Sequence, residues 1–435
     1  MKQAAAIENT GVAAQPVSLA KSYYVLALLT LVWALSFTNR SIINVVLEPI
    51  KKEFNLSDTV MGLMVGFGFI LIYSILSMPL ARFADRKGRI PIIATGIAFW
   101  SVMTWLGGLA QTVTQLLLTR IGLGIGESCA TAPGNSLVSD YFSKDKRPMA
   151  MAILSMAPVV GGYGAFLIGG FAATYWGWRS AFFLAGFPGL LIAALLYFTV
   201  KEPPRGLQDG KNVDTQAYGL GETLRYFVKN RTYFFLMIGF CFTGYADLTL
   251  GTWLAAYLMR VHALTMLQVS TVGGTIQTIG GVSGVLLGGF IVAHLGKMDD
   301  KWRIFAPGIT SLLAGPALVF FLYAPMPWAW VGLACSVLFM GFRMGPLLGL
   351  VQSVVKVRMR AFAAATIFMI GNLFGAGLGP LIIGASNDYL NSTYGPLAIR
   401  YSLLSVPAMS MLGALFFLGA VRHVKQDIKM SLMEG

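Results

Sequence analysis

The chain alternates long apolar runs with short polar segments. The runs fall at roughly 23–46, 57–80, 90–110, 113–139, 148–173, 178–200, 232–258, 267–293, 304–323, 327–353, 361–386 and 396–421. Each is about as long as a helix must be to cross a bilayer, roughly 20 residues. A backbone in hydrocarbon must satisfy its own hydrogen bonds, so runs of this length are helices. Most connections are short, as between antiparallel neighbours; the exception, 201–231, divides the helices six and six. The predicted fold class is therefore all-α integral membrane, with 12 transmembrane helices in two six-helix bundles. The expected units are an N-terminal tail (1–22), a first bundle (23–200), a linker (201–231), a second bundle (232–421) and a C-terminal tail (422–435). Residues 1–20 are small and polar with one lysine, Lys2, and carry no signal-peptide pattern. In the linker, Leu220, Leu224, Phe227 and Val228 interleave with Arg225 and Lys229. That spacing suits a short amphipathic helix on the membrane surface, and an irregular linker fits it equally.

Composition agrees with the pattern. Of 435 residues, 56% are hydrophobic and 11% charged, with mean hydropathy +0.70. A soluble globular protein, a disordered chain and a coiled coil are excluded. The net charge of +14 would suit nucleic acid, an anionic membrane surface or an acidic substrate. Position decides among them. With the N-terminus placed inside, 24 of the 32 basic residues fall in inner segments, and only Lys51, Lys52, Arg179, Arg260 and Arg400 in outer ones. This asymmetry predicts both termini in the cytoplasm of a multi-pass inner-membrane protein, with no nucleic-acid partner. Arg40, Arg120 and Arg343 remain, all inside apolar runs.

The halves repeat. ARFADRKGR from Ala81 aligns with GFIVAHLGK from Gly289 at an offset of 208, and RPMAMA from Arg147 resembles RAFAAA from Arg360 at an offset of 213. The first helix of the second half begins near Arg231, about 208 residues past the first helix of the chain. Repeated bundles are a transporter trait.

The stretch 81–89 resembles the signature between helices 2 and 3 of the major facilitator superfamily. Asp85, Arg86, Gly88 and Arg89 match it, and Ala81 stands where glycine is usual. RIGLGIGES at 120–128, TNRS at 38–41, GWRSAFFLAGFPG at 177–189 and GLGPLIIGASND at 377–388 resemble the Spinster family of lipid transporters. The resemblance implies a major facilitator fold, with two bundles around a central cavity that opens to alternate sides. It also implies as substrate an amphipathic anionic lipid, of lysophospholipid or sphingoid-phosphate type, moved with protons by a monomer. Composition adds fixed arginines among many Met, Phe and Leu side chains, which suit an anionic head and an acyl chain. One position departs from the family pattern: an Asp is expected before the helix-1 arginine, as part of a proton-sensing site, and here the pair is Asn39-Arg40. Asparagine has the shape of a protonated aspartate and cannot titrate. Coupling then rests on another carboxylate, unless the residue is an engineered substitution.

A charge near mid-bilayer costs about 2.5–3.5 kcal/mol on insertion scales and marks a wet cavity or a partner. Five residues qualify: Arg40, Arg120, Glu127, Asp247 and Arg343. From the topology, Arg40 and Arg120 lie roughly 10 Å below the outer surface and Glu127 roughly 10 Å deeper, on the same helix face as Arg120. Glu127 is the leading proton carrier, with Arg120 competing against the proton; a static Arg–Glu pair is the alternative. Arg40 is a fixed cation for a phosphate or carboxylate, or a partner of backbone or of Glu127. Asp247 is a second candidate for proton coupling, or bonds to Tyr245 or a partner helix. Arg343 contacts substrate or pairs with Asp247. Asn39, Tyr163, Gln277 and Asn372 are candidate cavity-lining residues, although interhelical hydrogen bonds also explain buried polar groups of this kind. Asp85, Arg86 and Arg89, with Arg147 as neighbour, read as an intracellular gate across the seam between halves. APVVGG at 157–162 resembles an exchanger motif of the superfamily with Ala157 for its first glycine, a hint of antiport that small-residue packing explains almost as well.

Other chemistries find no support. GLGIG at 122–126 lacks the strand and the third glycine of a dinucleotide turn, and GLQDGK at 206–211 is one residue short of a phosphate loop. His262, His294 and His423 are too dispersed for a metal site, and Cys129, Cys241 and Cys335 have no paired spacing for a disulfide. No nucleophile–base constellation appears, so the expectation is a gradient-driven transporter that is not an enzyme and uses no cofactor. The rival readings are a transporter of small organic anions or drugs, and a non-transporting membrane receptor or scaffold.

Overall fold

The structure is a computed structural model describing residues 18–143, 146–203, 220–356 and 359–433. Ten segments are long and apolar enough to cross a bilayer. One of them, Phe362–Ala420, folds back as two helices, and 113–141 is a further rod, giving twelve among the described residues. The first half comprises α1 (Leu19–Val45), α2 (58–87), α3 (Arg89–Gly107), α4 (113–141), α5 (147–176) and α6 (Trp178–Thr199). The second comprises α7 (Arg231–His262), α8 (Met266–Leu295), α9 (Trp302–Tyr323), α10 (Trp328–Ser353), α11 (360–394) and α12 (Ser405–Ala420). The run read at 396–421 is two pieces, because a short helix Ala398–Ser402 and a turn precede α12.

Local chemistry explains where the helices start. Ser18 and Ser57 accept backbone N–H bonds at the starts of α1 and α2, as does Asn230 at the start of α7. Thr112 with Gln115 and Thr265 with Gln268 form capping boxes on α4 and α8. Gly88, at φ +100°, ends α2 and turns the chain into α3, a conformation that favours glycine.

The repeat is structural. The caps Ser57 and Thr265 stand 208 residues apart, the offset read from the sequence. Wide π-type turns follow each cap, at Leu63–Phe67 and Val269–Gly273. α4 is interrupted after Ser128 and α10 after Phe342, at corresponding places in their halves.

The two ends of the described chain, Ser18 and Met433, lie on one face of the molecule, because each half contains an even number of crossings. At the opposite, far face the halves are in contact. α2 lies against α11 so closely that a Cβ on Gly62 would come within 2.2 Å of the Pro380 carbonyl oxygen, and one on Gly384 within 2.2 Å of that of Asp58. α5 meets α8 through Gly170 against Ser270 and Gly274 against Phe166. Towards the terminal face, 131–155 and 344–372 pack within their own halves. Large apolar side chains such as Leu191, Leu286 and Phe290 are exposed on the outside of the bundles, as a lipid-facing surface requires.

Of the two readings of the linker, the helix is present, at Leu220–Lys229. Phe227 is buried and stacks on Tyr233 with centroids 4.2 Å apart, while Val228 points outward. The C-terminal tail also holds a helix, Val424–Met433, whose Asp427 accepts from the Thr232 backbone N–H at 2.8 Å and so ties the tail to the start of α7.

Candidate functional site

Two arginine–carboxylate pairs sit inside the bundles, one in each half. In the first, Arg40 of α1 donates to Glu127 of α4 at 2.5 Å. The guanidinium lies over the rings of Phe69 (4.5 Å), Phe37 (4.9 Å) and Tyr73 (5.3 Å). An aromatic floor attracts a cation electrostatically and leaves its edge free to bond. In the second, Arg343 of α10 donates to both oxygens of Asp247 on α7, and reaches the Thr243 carbonyl at 3.4 Å.

The pairs are reversed copies of each other. Asn39, next to Arg40, and Asp247 are 208 residues apart and therefore equivalent in the repeat. Each pair joins the first helix of its half to the fourth. In the first half the cation is on the first helix; in the second half it is on the fourth. Accessibility is divided in the same way. The side chains of Arg40 and Asp247 are 23% and 29% accessible, and those of Glu127 and Arg343 only 1% each. A charged side chain with open surface at membrane depth faces a watery cavity rather than lipid.

Arg120 does not make the ion pair with Glu127 that competition for its proton requires. Its two terminal nitrogens donate to the main-chain carbonyls of Asn39 (3.1 Å) and Arg40 (2.9 Å). The reason is spacing: seven residues are two helical turns, about 10 Å, so Arg120 reaches across to α1 at its own level. There it holds the backbone that carries Arg40, and Arg40 descends to Glu127.

The remaining candidates scatter. Asn39 is fully buried, and among the described residues neither atom of its carboxamide has a partner. It is closed off from solvent in this conformation. Tyr163 meets Thr275 across the seam at 3.5 Å. Gln277 is half-buried on α8, facing Gly251. Asn372 donates to the Phe368 carbonyl of its own helix. Arg89 makes its contacts within its own half while the far face is closed. It bonds Asp140 (2.5 Å), Ser136 (2.9 Å) and Glu202 (2.8 Å), all in its own half, because its side chain turns under α4 and the end of α6. In this conformation it therefore braces its half. Burial alone would raise the Glu202 carboxyl, but Arg89 and the N–H groups of Ile90 and Arg89 outweigh it and hold the group below the usual carboxylate range. Arg147 donates to the Ser139 carbonyl, again within its half. The side chains of Asp85 and Arg86 lie outside the described residues.

A gate does cross the seam, at the far face. Arg260, at the end of α7, donates to Glu48 (2.7 Å) and to Asp58 (2.5 Å), both of the first half. Asn387 of α11 donates to Asp58 at 3.0 Å, and Lys51 at 2.5 Å. Asp388 accepts from the backbone N–H groups of Asp58 (2.9 Å) and Thr59 (2.8 Å), capping α2 from the opposite half. None of these roles was read from the sequence. In the sequence Arg260 stands only among the few outer cations, and Asn387 and Asp388 only within a motif. The signal available was Glu48 and Asp58 in one short outer segment, with few opposite-half cations, Arg260 and Arg400, to meet them.

Residues 29–380 match the Major Facilitator Superfamily. The chain belongs to this superfamily. It is thus a membrane transporter and not an enzyme, and the proteins it is similar to include members of the Spinster branch. One similar protein is an "MFS-type efflux pump" of Mycolicibacterium smegmatis (strain ATCC 700084 / mc(2)155), 30% identical over 94% of each chain. Another is the "Sphingosine-1-phosphate transporter SPNS2" of Danio rerio, 24% identical over 90% of this chain and 82% of that one. A crystal structure of a bacterial homolog to the human lysosomal transporter Spinster, inward-facing and unoccupied, superposes with TM-score 0.85 at 29% identity, covering 94% of this chain and 99% of that one. The two facilitator halves therefore adopt the arrangement of a Spinster-type transporter, closed at the far face.

Proposed function

We propose that the protein is a proton-coupled transporter of amphipathic anionic lipids, of lysophospholipid or sphingoid-phosphate type, working by alternating access. The observation that carries this is the Arg40–Glu127 pair. Its cation faces the cavity from an aromatic floor, and its acid is buried behind it with Oε1 unpartnered among the described residues. A proton on Glu127 removes the charge that holds Arg40, and the freed guanidinium can then clamp a phosphate bidentately. Loss of the proton returns Arg40 to Glu127 and releases the headgroup. Arg120 positions Arg40 through the backbone carbonyls of Asn39 and Arg40. The terminal face, where the basic residues concentrate, is cytoplasmic in this reading, the membrane is the inner one, and the working unit is a monomer. The far-face contacts then close the outer side. Support for the lipid comes from what the Danio rerio relative is named as carrying.

The test is flux of labelled lysolipids into proteoliposomes with and without a pH gradient, for wild type and Glu127→Gln. Wild-type flux should depend on the gradient, and Glu127→Gln should transport without that dependence or not at all. Gradient-dependent flux preserved in Glu127→Gln overturns the coupling. A second reading, proton-coupled transport of small organic anions or drugs, draws on the efflux-pump relative. A short-chain organic anion in the same assay separates the two.

A further inference from the structure

Two short helices on the terminal face are held by contacts in the second half. The linker helix, Leu220–Lys229, stacks Phe227 on Tyr233 and Phe362 with centroids 4.2 and 5.9 Å apart. Just past it, Asn230 donates to the Val354 carbonyl at 2.7 Å. The tail helix, Val424–Met433, caps α7 through Asp427, and its Ser431 donates to the Ser353 carbonyl at the end of α10 at 2.7 Å. The apolar side of the linker helix is thus occupied by protein and is not free to enter the acyl region. Its outward side is a basic stripe. Arg225, Val228 and Lys229 are exposed and, at i, i+3 and i+4, share one face, and Arg231 continues the stripe onto α7. Arg422, Lys429 and Met430 are exposed along the tail.

These cations are uncompensated. Arg225, Lys229, Arg231, Arg422 and Lys429 make no ion pair among the described residues, whereas Lys425 holds Asp299 at 2.9 Å and Arg303 holds Asp300 at 3.0 Å. Glu222 is the one exposed acid among the described residues of the two helices. The first half differs: Arg89 is buried against Asp140 and Glu202, and Arg147 donates to the Ser139 carbonyl. Height selects the partner. Lys229 lies two residues before α7 begins, and Arg422 two residues after α12 ends. Both of those helices cross the bilayer, so the cations stand where the chain meets the headgroups. Val228 and Met430, 65% and 41% accessible, lie among them. A layer of anionic headgroups over an apolar boundary meets both kinds of side chain, whereas a soluble acidic partner meets only the charges.

We propose that the outward face of the linker and tail helices binds the headgroups of anionic phospholipids and anchors the second half to the leaflet on the terminal side. The attraction is electrostatic rather than insertional, so it weakens as salt shortens the screening length, about 8 Å at physiological ionic strength. The contact is the same whichever substrate crosses the membrane.

Native mass spectrometry of the detergent-solubilised full chain, titrated with palmitoyl-oleoyl phosphatidylglycerol or phosphatidylcholine, reads affinity lipid by lipid. Wild type should bind the glycerol lipid more tightly. Each lysine or arginine near an anionic headgroup contributes about fivefold in affinity. Arg225→Gln/Lys229→Gln/Arg422→Gln/Lys429→Gln should therefore bind phosphatidylglycerol at least about fivefold more weakly, with phosphatidylcholine binding unchanged. Lys52→Gln, on the far face, should behave as wild type. If the fourfold variant fails to fold, Arg225→Gln/Lys229→Gln and Arg422→Gln/Lys429→Gln replace it, each giving part of the loss. Hydrogen exchange of the full chain in nanodiscs locates the contact. Amides of 220–229 and 424–433 should exchange more slowly in phosphatidylcholine discs containing about 30% phosphatidylglycerol than in pure ones, and about 0.5 M salt should abolish the difference. Equal affinity of wild type for the two lipids overturns the proposal, as does an undiminished phosphatidylglycerol affinity in the folded variants. Exchange slowed by soluble polyglutamate and not by the anionic bilayer assigns the surface to an acidic protein and overturns it too.

Discussion

Arg260 concentrates the far-face closure in one side chain, so its removal should tilt the whole conformational equilibrium. Arg260→Gln keeps length and hydrogen-bonding capacity but deletes the charge shared by Glu48 and Asp58. Those carboxylates are only 8% and 3% accessible, and they would be left with Lys51 as the one cation between them. Removing one partner of a buried, hydrogen-bonded charge pair costs about 2–5 kcal/mol. The Arg260 side chain is 14% accessible, and Asp58 keeps Lys51 and Asn387, so the low end applies, about 2 kcal/mol. The cost falls on the closed far face alone, because the same groups are hydrated once the halves part. About 2 kcal/mol is a roughly 30-fold change in the ratio of conformers. Double electron–electron resonance between spin labels at Lys52→Cys and Asn391→Cys, with the three native cysteines replaced, reads that ratio directly. The longer-distance population should grow by about that factor, and the charge swap Asp58→Arg with Arg260→Asp should reverse part of the change. Arg179→Gln is the control, since Arg179 pairs with Glu53 inside one half at 2.7 Å. An unchanged distribution in folded Arg260→Gln, or an equal shift in Arg179→Gln, refutes the reasoning.

Steric closure should be equally sensitive. Gly384→Val places a branched side chain where even a Cβ meets the Asp58 carbonyl at 2.2 Å, so the far face should remain open in the same labelled pair and substrate flux should fall at least tenfold. On the terminal face, the Glu202–Arg89 contact should give the first half an acid-sensitive component of stability. The Glu202 carboxyl is held below its ordinary range, so its contribution is complete above about pH 4.3 and disappears as pH falls through the lowered value. Glu202→Gln should lower the melting temperature of the detergent-solubilised protein at neutral pH and flatten the acid limb of its stability profile. An acid limb identical to wild type would show that another group carries it.

Much of the fold was legible because a bilayer leaves few alternatives. Apolar runs of helical length, the lone long connection at 201–231 and the sorting of basic residues define the twelve crossings and the six-plus-six division. The repeat offset of 208 reappears in the caps Ser57 and Thr265 and in the placement of Asn39 and Asp247. Arg40, Arg120, Glu127, Asp247 and Arg343 were legible as candidates too, since a charge inside an apolar run stands out. Partnership was less so. Arg120, on the same helix as Glu127, was the natural partner by spacing, yet the pair belongs to Arg40, 87 residues away. Arg89 matched a signature that suggested a seam, and the partners it has with the far face closed lie in its own half. The gate at Arg260 joins residues 202 and 212 positions apart, and no local pattern marks such a contact.

By itself, then, the sequence determined a twelve-helix membrane protein of two repeated halves, with three arginines and two acids committed to its interior. Hydrophobic length, backbone hydrogen bonding and charge sorting are local properties, and each can be read along one chain. Only the tertiary structure decided which cation meets which acid, which member of each pair faces the cavity, and which face is closed. Those outcomes depend on the rotation and slide of one helix against another. They are set by close backbone approaches such as Gly62 on Pro380 and Gly384 on Asp58, which exist only once the two halves have met.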